Sequence, residues 1–128
     1  MAVSEGANYA PAAMPKPVVE PGEFVFAAMH LDHGHIGGMT QGLLGAGGTL
    51  KWVYDPDPAK ADRLAKQLNR RGMKVSATQD LEGAVRGADI VSCATLSREP
   101  LIRGEWLAEG VHVDLVGGFT PEMREADD

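Results

Sequence analysis

A chain of 128 residues has room for one domain, and a hydrophobic fraction of 44% can fill its core without a disulfide or metal staple. The formal charge of −6 excludes the basic face that nucleic acid rewards. The longest apolar run, Phe24 to Met29, is far too short to cross a bilayer. Cys93, the single cysteine, has no partner for an internal disulfide, and no basic start followed by an apolar stretch opens the chain, so a cytoplasmic protein is expected.

Residues 1–22 carry four prolines and no hydrophobic period, which predicts an irregular or partly disordered arm before a domain spanning 23–128. A first strand is expected over Phe24–Ala28. A loop from Met29 to Gly38 follows, then a helix from about Met39 to Ala46 stopped by Gly47 and Gly48. Leu50–Tyr54 reads as the second strand, ending on Asp55. The next helix is the best marked: Asp57 caps it, Pro58 takes its first position, and Ala61, Leu64, Ala65 and Leu68 form one stripe before Gly72. Met73–Ala77 is a short third strand, and Asp80 caps a brief helix over Leu81–Arg86. Asp89–Ala94 is the fourth strand. Gly104–Leu107 makes one helical turn, Val111–Val116 is the fifth strand, and an acidic tail from Thr120 begins another helix.

Strands and helices that alternate through short connections specify βαβ units. The expected fold is α/β, a three-layer, doubly wound parallel sheet of Rossmann type, with five strands in the order 3-2-1-4-5. Ligands of such sheets bind where the strand order reverses, between the first and fourth strands. That points to the loops Met29–Gly38, Thr95–Arg98 and Gly117–Phe119.

A phosphate needs backbone N–H groups at close approach and an open helix amino terminus, hence glycine. The first loop supplies His30, Asp32, His33, Gly34, His35, Ile36 and Gly37, with Gly34 and Gly37 as the last two glycines of a degenerate G-x-G-x-x-G. Asp55, 21 residues after Gly34, is placed to accept ribose hydroxyls; it repels a 2′-phosphate and so favours NAD over NADP. Its bland alternative is a strand-ending acid that helps Asp57 start the next helix. Thr95 and Ser97 offer hydroxyls to ribose or nicotinamide, or serve only as turn residues. Imidazoles beside Asp32 also match zinc chemistry, but further ligands are wanting, so no metal site is expected. Cys93 reads as inert core, and Trp52 and Trp106 as packing residues.

Two resemblances come from these residues. PGEFVFAAMHLDHGHIGGMTQGLLGAG with KWVYDPDP, within about Glu5–Pro58, resembles the amino-terminal domain of the glucose–fructose oxidoreductase and inositol dehydrogenase family. That likeness implies pyrophosphate at Gly34 and Gly37, and ribose at Asp55. ADIVSCATLSREPLIRGEWLAEGVHVDLVGGFTPEMREAD, within about Ala59–Asp128, resembles the ornithine cyclodeaminase and mu-crystallin family. It implies that Thr95, Ser97, Val116 and Gly117 border the dinucleotide. The pair of likenesses implies a chimera joined near 57–66, with neither family's substrate domain and so no catalytic residues. The expectation is a module whose partner is a dinucleotide, with no nucleic acid or membrane and with a homodimer left open. The rivals are a scaffold that binds nothing and a small metal enzyme built on the histidine cluster.

Overall fold

The computed structural model describes residues 16–32, 34–118 and 120–128. Strands β1 (Val25–Met29), β2 (Thr49–Tyr54), β3 (Ser76–Thr78), β4 (Ile90–Cys93) and β5 (His112–Leu115) form one sheet in the order β3-β2-β1-β4-β5. Every pairing is parallel. Helices α1 (His35–Gly45), α2 (Pro58–Asn69) and α3 (Leu81–Arg86) make the crossovers. The expected fold class and strand order are both observed.

The alternation of a strand's side chains splits the core into two layers. Phe26 and Ala28 of β1 face α1 and α2, joining Leu50, Val53, Ala61, Ala65 and Leu68. Ala27 and Met29 face the opposite way, onto Ala84, Val85, Val91, Cys93 and Ile102. Helix α2 forms as its signals require: Asp57 accepts the Ala59 N–H at 3.0 Å, and proline sits in the first turn. Past its end, Gly72 has a φ of +89°, a conformation that costs glycine nothing.

Two expectations need correction. Helix α1 begins at His35 rather than near Met39, because burial of Ile36 and Thr40 against the sheet winds the glycine-rich stretch into the first turn. The phosphate loop is therefore only His30–Gly34. The acidic tail forms no helix among its described residues; it runs extended beside Ile102, bridging Ile102 to Ala126. Of the expected arm, residues 16–22 are irregular but tied down: Val18 donates to Ala46 O and Gly22 donates to Thr49 Oγ1, each at 2.8 Å. Residues 1–15 lie outside the described residues. Among the described residues, no helix is long and apolar enough to cross a membrane.

Candidate dinucleotide site

At the carboxyl end of β1 the chain turns on His30, whose φ of +59° is left-handed, the only such non-glycine among the described residues. Its N–H is held by Tyr54 O at 2.9 Å, and its ring meets the Tyr54 ring edge-on at 5.4 Å. Holding a residue other than glycine there costs on the order of 1–2 kcal/mol. Nε2 of His30 is buried without a hydrogen-bond partner. Burial holds this imidazole below the ordinary value of 6.5, against the pull of Asp55, Glu125 and Asp32.

Asp55 shapes the loop from beneath. It is 2% exposed, accepts the Leu31 N–H on Oδ2 at 2.8 Å, and accepts the Asp57 N–H on Oδ1 at 2.8 Å. One carboxylate thus fastens the β1–α1 turn to the β2–α2 turn. The bland alternative is partly realised, because Asp55 does order the entry to α2. Above it, exposed Asp32 pairs with Lys60 of α2, which neutralises a carboxylate beside the phosphate loop.

Between the ends of β1, β2 and β4 lies a cleft of about 420 Å³. It brings together His30, Asp32, Thr95 and Ser97, with Pro56 and Leu96 also on its walls. Gly34 and Gly37 line a second, open groove with Lys60 and Arg63. Gly34 stands at the N-cap of α1 and makes no side-chain cap hydrogen bond. A Cβ added at Gly34 or Gly37 would meet nothing within 4 Å. The expected residue Ile36 is buried in the core and also borders this groove. His35 begins α1 on an exposed position, and His33 lies outside the described residues.

Thr95 Oγ1 accepts the Ser97 N–H at 3.2 Å, and Ser97 Oγ donates to Glu99 O at 2.6 Å, so both hydroxyls also serve the turn. Val116 and Gly117 follow β5 and border neither cavity. Gly117 is required by packing: a Cβ there would lie 1.8 Å from Thr95 O.

The side chain that holds these two strand ends together is one that the sequence did not point to. Glu125, 2% exposed, accepts the Thr95 N–H on Oε2 at 2.6 Å and the Gly117 N–H on Oε1 at 2.7 Å. In the sequence it is one acid of an acidic run, and its only distinguishing signal is a tail with no helical stripe. Among the described residues, no three His, Cys, Asp or Glu side chains converge to hold a metal. Burial pushes the Cys93 thiol up to about 12, as an inert core cysteine requires.

Comparison with known proteins finds relatives of both this sequence and this fold. A Δ1-pyrroline-2-carboxylate reductase of Paracoccus denitrificans is 48% identical over 76 residues, covering 59% of this chain and 24% of that one. An archaeal alanine dehydrogenase dimer solved with bound NAD matches with a TM-score of 0.68 at 23% identity, over 89% of this chain and 34% of the other. The Thermococcus litoralis Δ1-pyrroline-2-carboxylate reductase, solved with NADH and L-proline, matches with a TM-score of 0.67 at 20% identity over the same shares. The chain thus spans about a quarter of that curated relative and a third of those solved structures. The solved folds cover 89% of this chain, so both of its halves belong to one such fold. A glucose–fructose oxidoreductase half, or a chimeric junction, has no support in these comparisons. Residues 48–128 match the family described as ornithine cyclodeaminase/mu-crystallin, and this chain belongs to that family.

Proposed function

We propose that this domain binds NAD across the carboxyl edge of its sheet, as the cofactor-holding part of an oxidoreductase related to the imine and ketimine reductases of its family. The observation that carries the proposal is an uncapped α1 amino terminus beside an open cleft, at the point where the strand order reverses. The cleft falls within the 300–1,000 Å³ usual for small-molecule sites, counted roughly. The solved relatives hold NAD or NADH in the same fold.

In this reading the pyrophosphate lies against the amino terminus of α1, next to Gly34 and Gly37, with Ile36 and Gly37 contributing backbone N–H groups. The Lys60 ammonium offsets Asp32 there. The adenosine side of the cofactor sits toward Asp32 and Pro56, over the turn that Asp55 fixes. The nicotinamide ribose approaches Thr95 and Ser97, and the ring lies over Leu96, Val116 and the backbone at Gly117. Bound NAD supplies a hydride acceptor; the chain's own part is to hold and orient it and to exclude water from one ring face. No residue is assigned to catalysis, and the reduced or oxidised substrate belongs to the activity of the family's longer proteins.

Asp55 contributes chiefly by fixing the two turns, since both its oxygens already accept backbone N–H groups. Lys60 and Arg63 sit beside the groove, so NADP is the comparison ligand. Calorimetric titration with NAD, and with NADP in parallel, tests the proposal. Saturable NAD binding that Gly37→Val weakens about tenfold or more supports it. A folded protein that binds neither dinucleotide would leave the scaffold reading, which the Asp32 carboxylate at the phosphate loop favours.

A further inference from the structure

Asp32 and Lys60 form an ion pair that joins the β1–α1 turn to the first turn of α2. The pair stands where the two cavities meet. Asp32 is on the wall of the cleft with His30, Pro56 and Thr95, and Lys60 is on the wall of the groove with Gly34 and Gly37. Its two members are held unequally. Lys60 belongs to a helix whose entry Asp57 caps, and its side chain is 36% exposed; the Asp32 side chain is 79% exposed. An exposed pair of this kind contributes little net stability, because water solvates both ions well once they part. Arg63, one turn further along α2, borders the same groove and makes no ion pair among the described residues.

We infer that Lys60 is a phosphate ligand of the dinucleotide, and that Asp32 is an internal counter-ion which the pyrophosphate displaces from it. The inference rests on NAD binding as proposed and adds two side chains with opposite effects on it. A dinucleotide with its phosphates beside Gly34 and Gly37 and one riboside in the cleft must cross the boundary that the ion pair occupies. The pyrophosphate is dianionic, so it offers the ammonium more charge than one carboxylate does, through charge-assisted hydrogen bonds of the same type. Asp32, the more exposed member, turns into water, and Lys60 stays on its helix. The hydrogen bond to Asp32 holds the Lys60 ammonium above its ordinary value of 10.5. Without that bond the ordinary value still leaves it charged at neutral pH. A lysine that merely neutralised Asp32 would keep the pair closed in the complex and touch no phosphate. The two cases differ in sign. If Lys60 only offsets Asp32, taking Lys60 away bares a carboxylate, and removing Asp32 then helps the ligand more. If the ligand takes Lys60 over, removing Asp32 helps most while Lys60 is there to be released.

Calorimetric titration with NAD at low ionic strength, where screening is least, tests this through a double-mutant cycle. Asp32→Asn should tighten NAD about tenfold, and Lys60→Met should weaken it about tenfold. Lys60→Arg keeps a cation on the wall and should stay within about threefold of the parent. In the Lys60→Met background, adding Asp32→Asn should change the affinity by less than about threefold. Thermal melts of every variant should match the parent, since the pair is exposed. A gain from Asp32→Asn that is as large or larger without Lys60, or a Lys60→Met variant that binds NAD as the parent does, overturns the exchange and leaves NAD binding standing. If neither the parent nor Asp32→Asn binds NAD at millimolar concentration, the cofactor reading and the exchange fall together.

Discussion

Replacing Glu125 by Gln isolates the clamp that joins the ends of β4 and β5. In the parent, one buried carboxylate receives two backbone N–H groups at 2.6 and 2.7 Å, both charge-assisted. A glutamine keeps one acceptor and turns its NH2 toward the second N–H, leaving that donor unpaired in a site closed to water. Losing one charge-assisted bond of about 1.5–3 kcal/mol, and reducing the other to a neutral bond near 1 kcal/mol, costs about 2–5 kcal/mol in total. That is a large part of the roughly 5–15 kcal/mol of a domain this size. Equilibrium urea unfolding read by far-UV circular dichroism measures it, with an unchanged slope showing that the same surface unfolds. Glu122→Gln, an exposed acid three residues earlier, is the control and should stay within about 0.5 kcal/mol of the parent. If Glu125→Gln is equally silent, Glu125 is not the clamp and the ends of β4 and β5 are held by other means.

Gly37→Val should leave the thermal midpoint close to that of the parent, since no protein atom lies within 4 Å of the new Cβ, yet weaken NAD about tenfold or more by crowding the helix entrance; calorimetry reads both halves of that claim together with a melt. His30 binds its proton less readily in the folded chain than at 6.5, so its neutral form contributes stability that is complete above that pH and is lost as pH falls from 6.5 toward the lower folded value. Melts from pH 7.5 down to pH 5 should therefore fall more steeply for the parent than for His30→Gly, and equal slopes would remove His30 from the account. Cys93, buried and pushed up to about 12, should resist alkylation in the native protein and react only after urea is added; rapid native labelling would contradict its burial at the end of β4.

The parts of this fold that sequence exposes are those written locally. Asp57 before Pro58, a stripe at Ala61, Ala65 and Leu68, and Gly72 beyond the end spell α2 almost without ambiguity, and the alternation of elements fixes the strand order. Helix α1 was harder to place, because Gly34, Gly37 and Gly38 read as loop when only propensity is weighed. Burial of Ile36 and Thr40 overrides that propensity, and burial is a property of the assembled sheet. Spacing marks Asp55, but which way a carboxylate points has no sequence signature; it turns inward to two amides, and Asp55→Ala should therefore cost stability as well as affinity. Glu125 has no signature in the sequence for the same reason. Its bonds to Thr95 and Gly117 are long-range in part, and an acidic run gives no hint of which member is buried.

The most direct test of NAD binding at the strand-order reversal is an NMR titration of the folded domain with NAD, following backbone amides. The account predicts saturable shifts in the first turn of α1, at His35, Ile36 and Gly37, together with the turn after β4 at Leu96 and Ser97 and the segment Val116–Gly118, while β3 and the exposed face of α2 stay unmoved. Amides that do not shift at millimolar NAD, or shifts confined to surfaces away from those three segments, would contradict it.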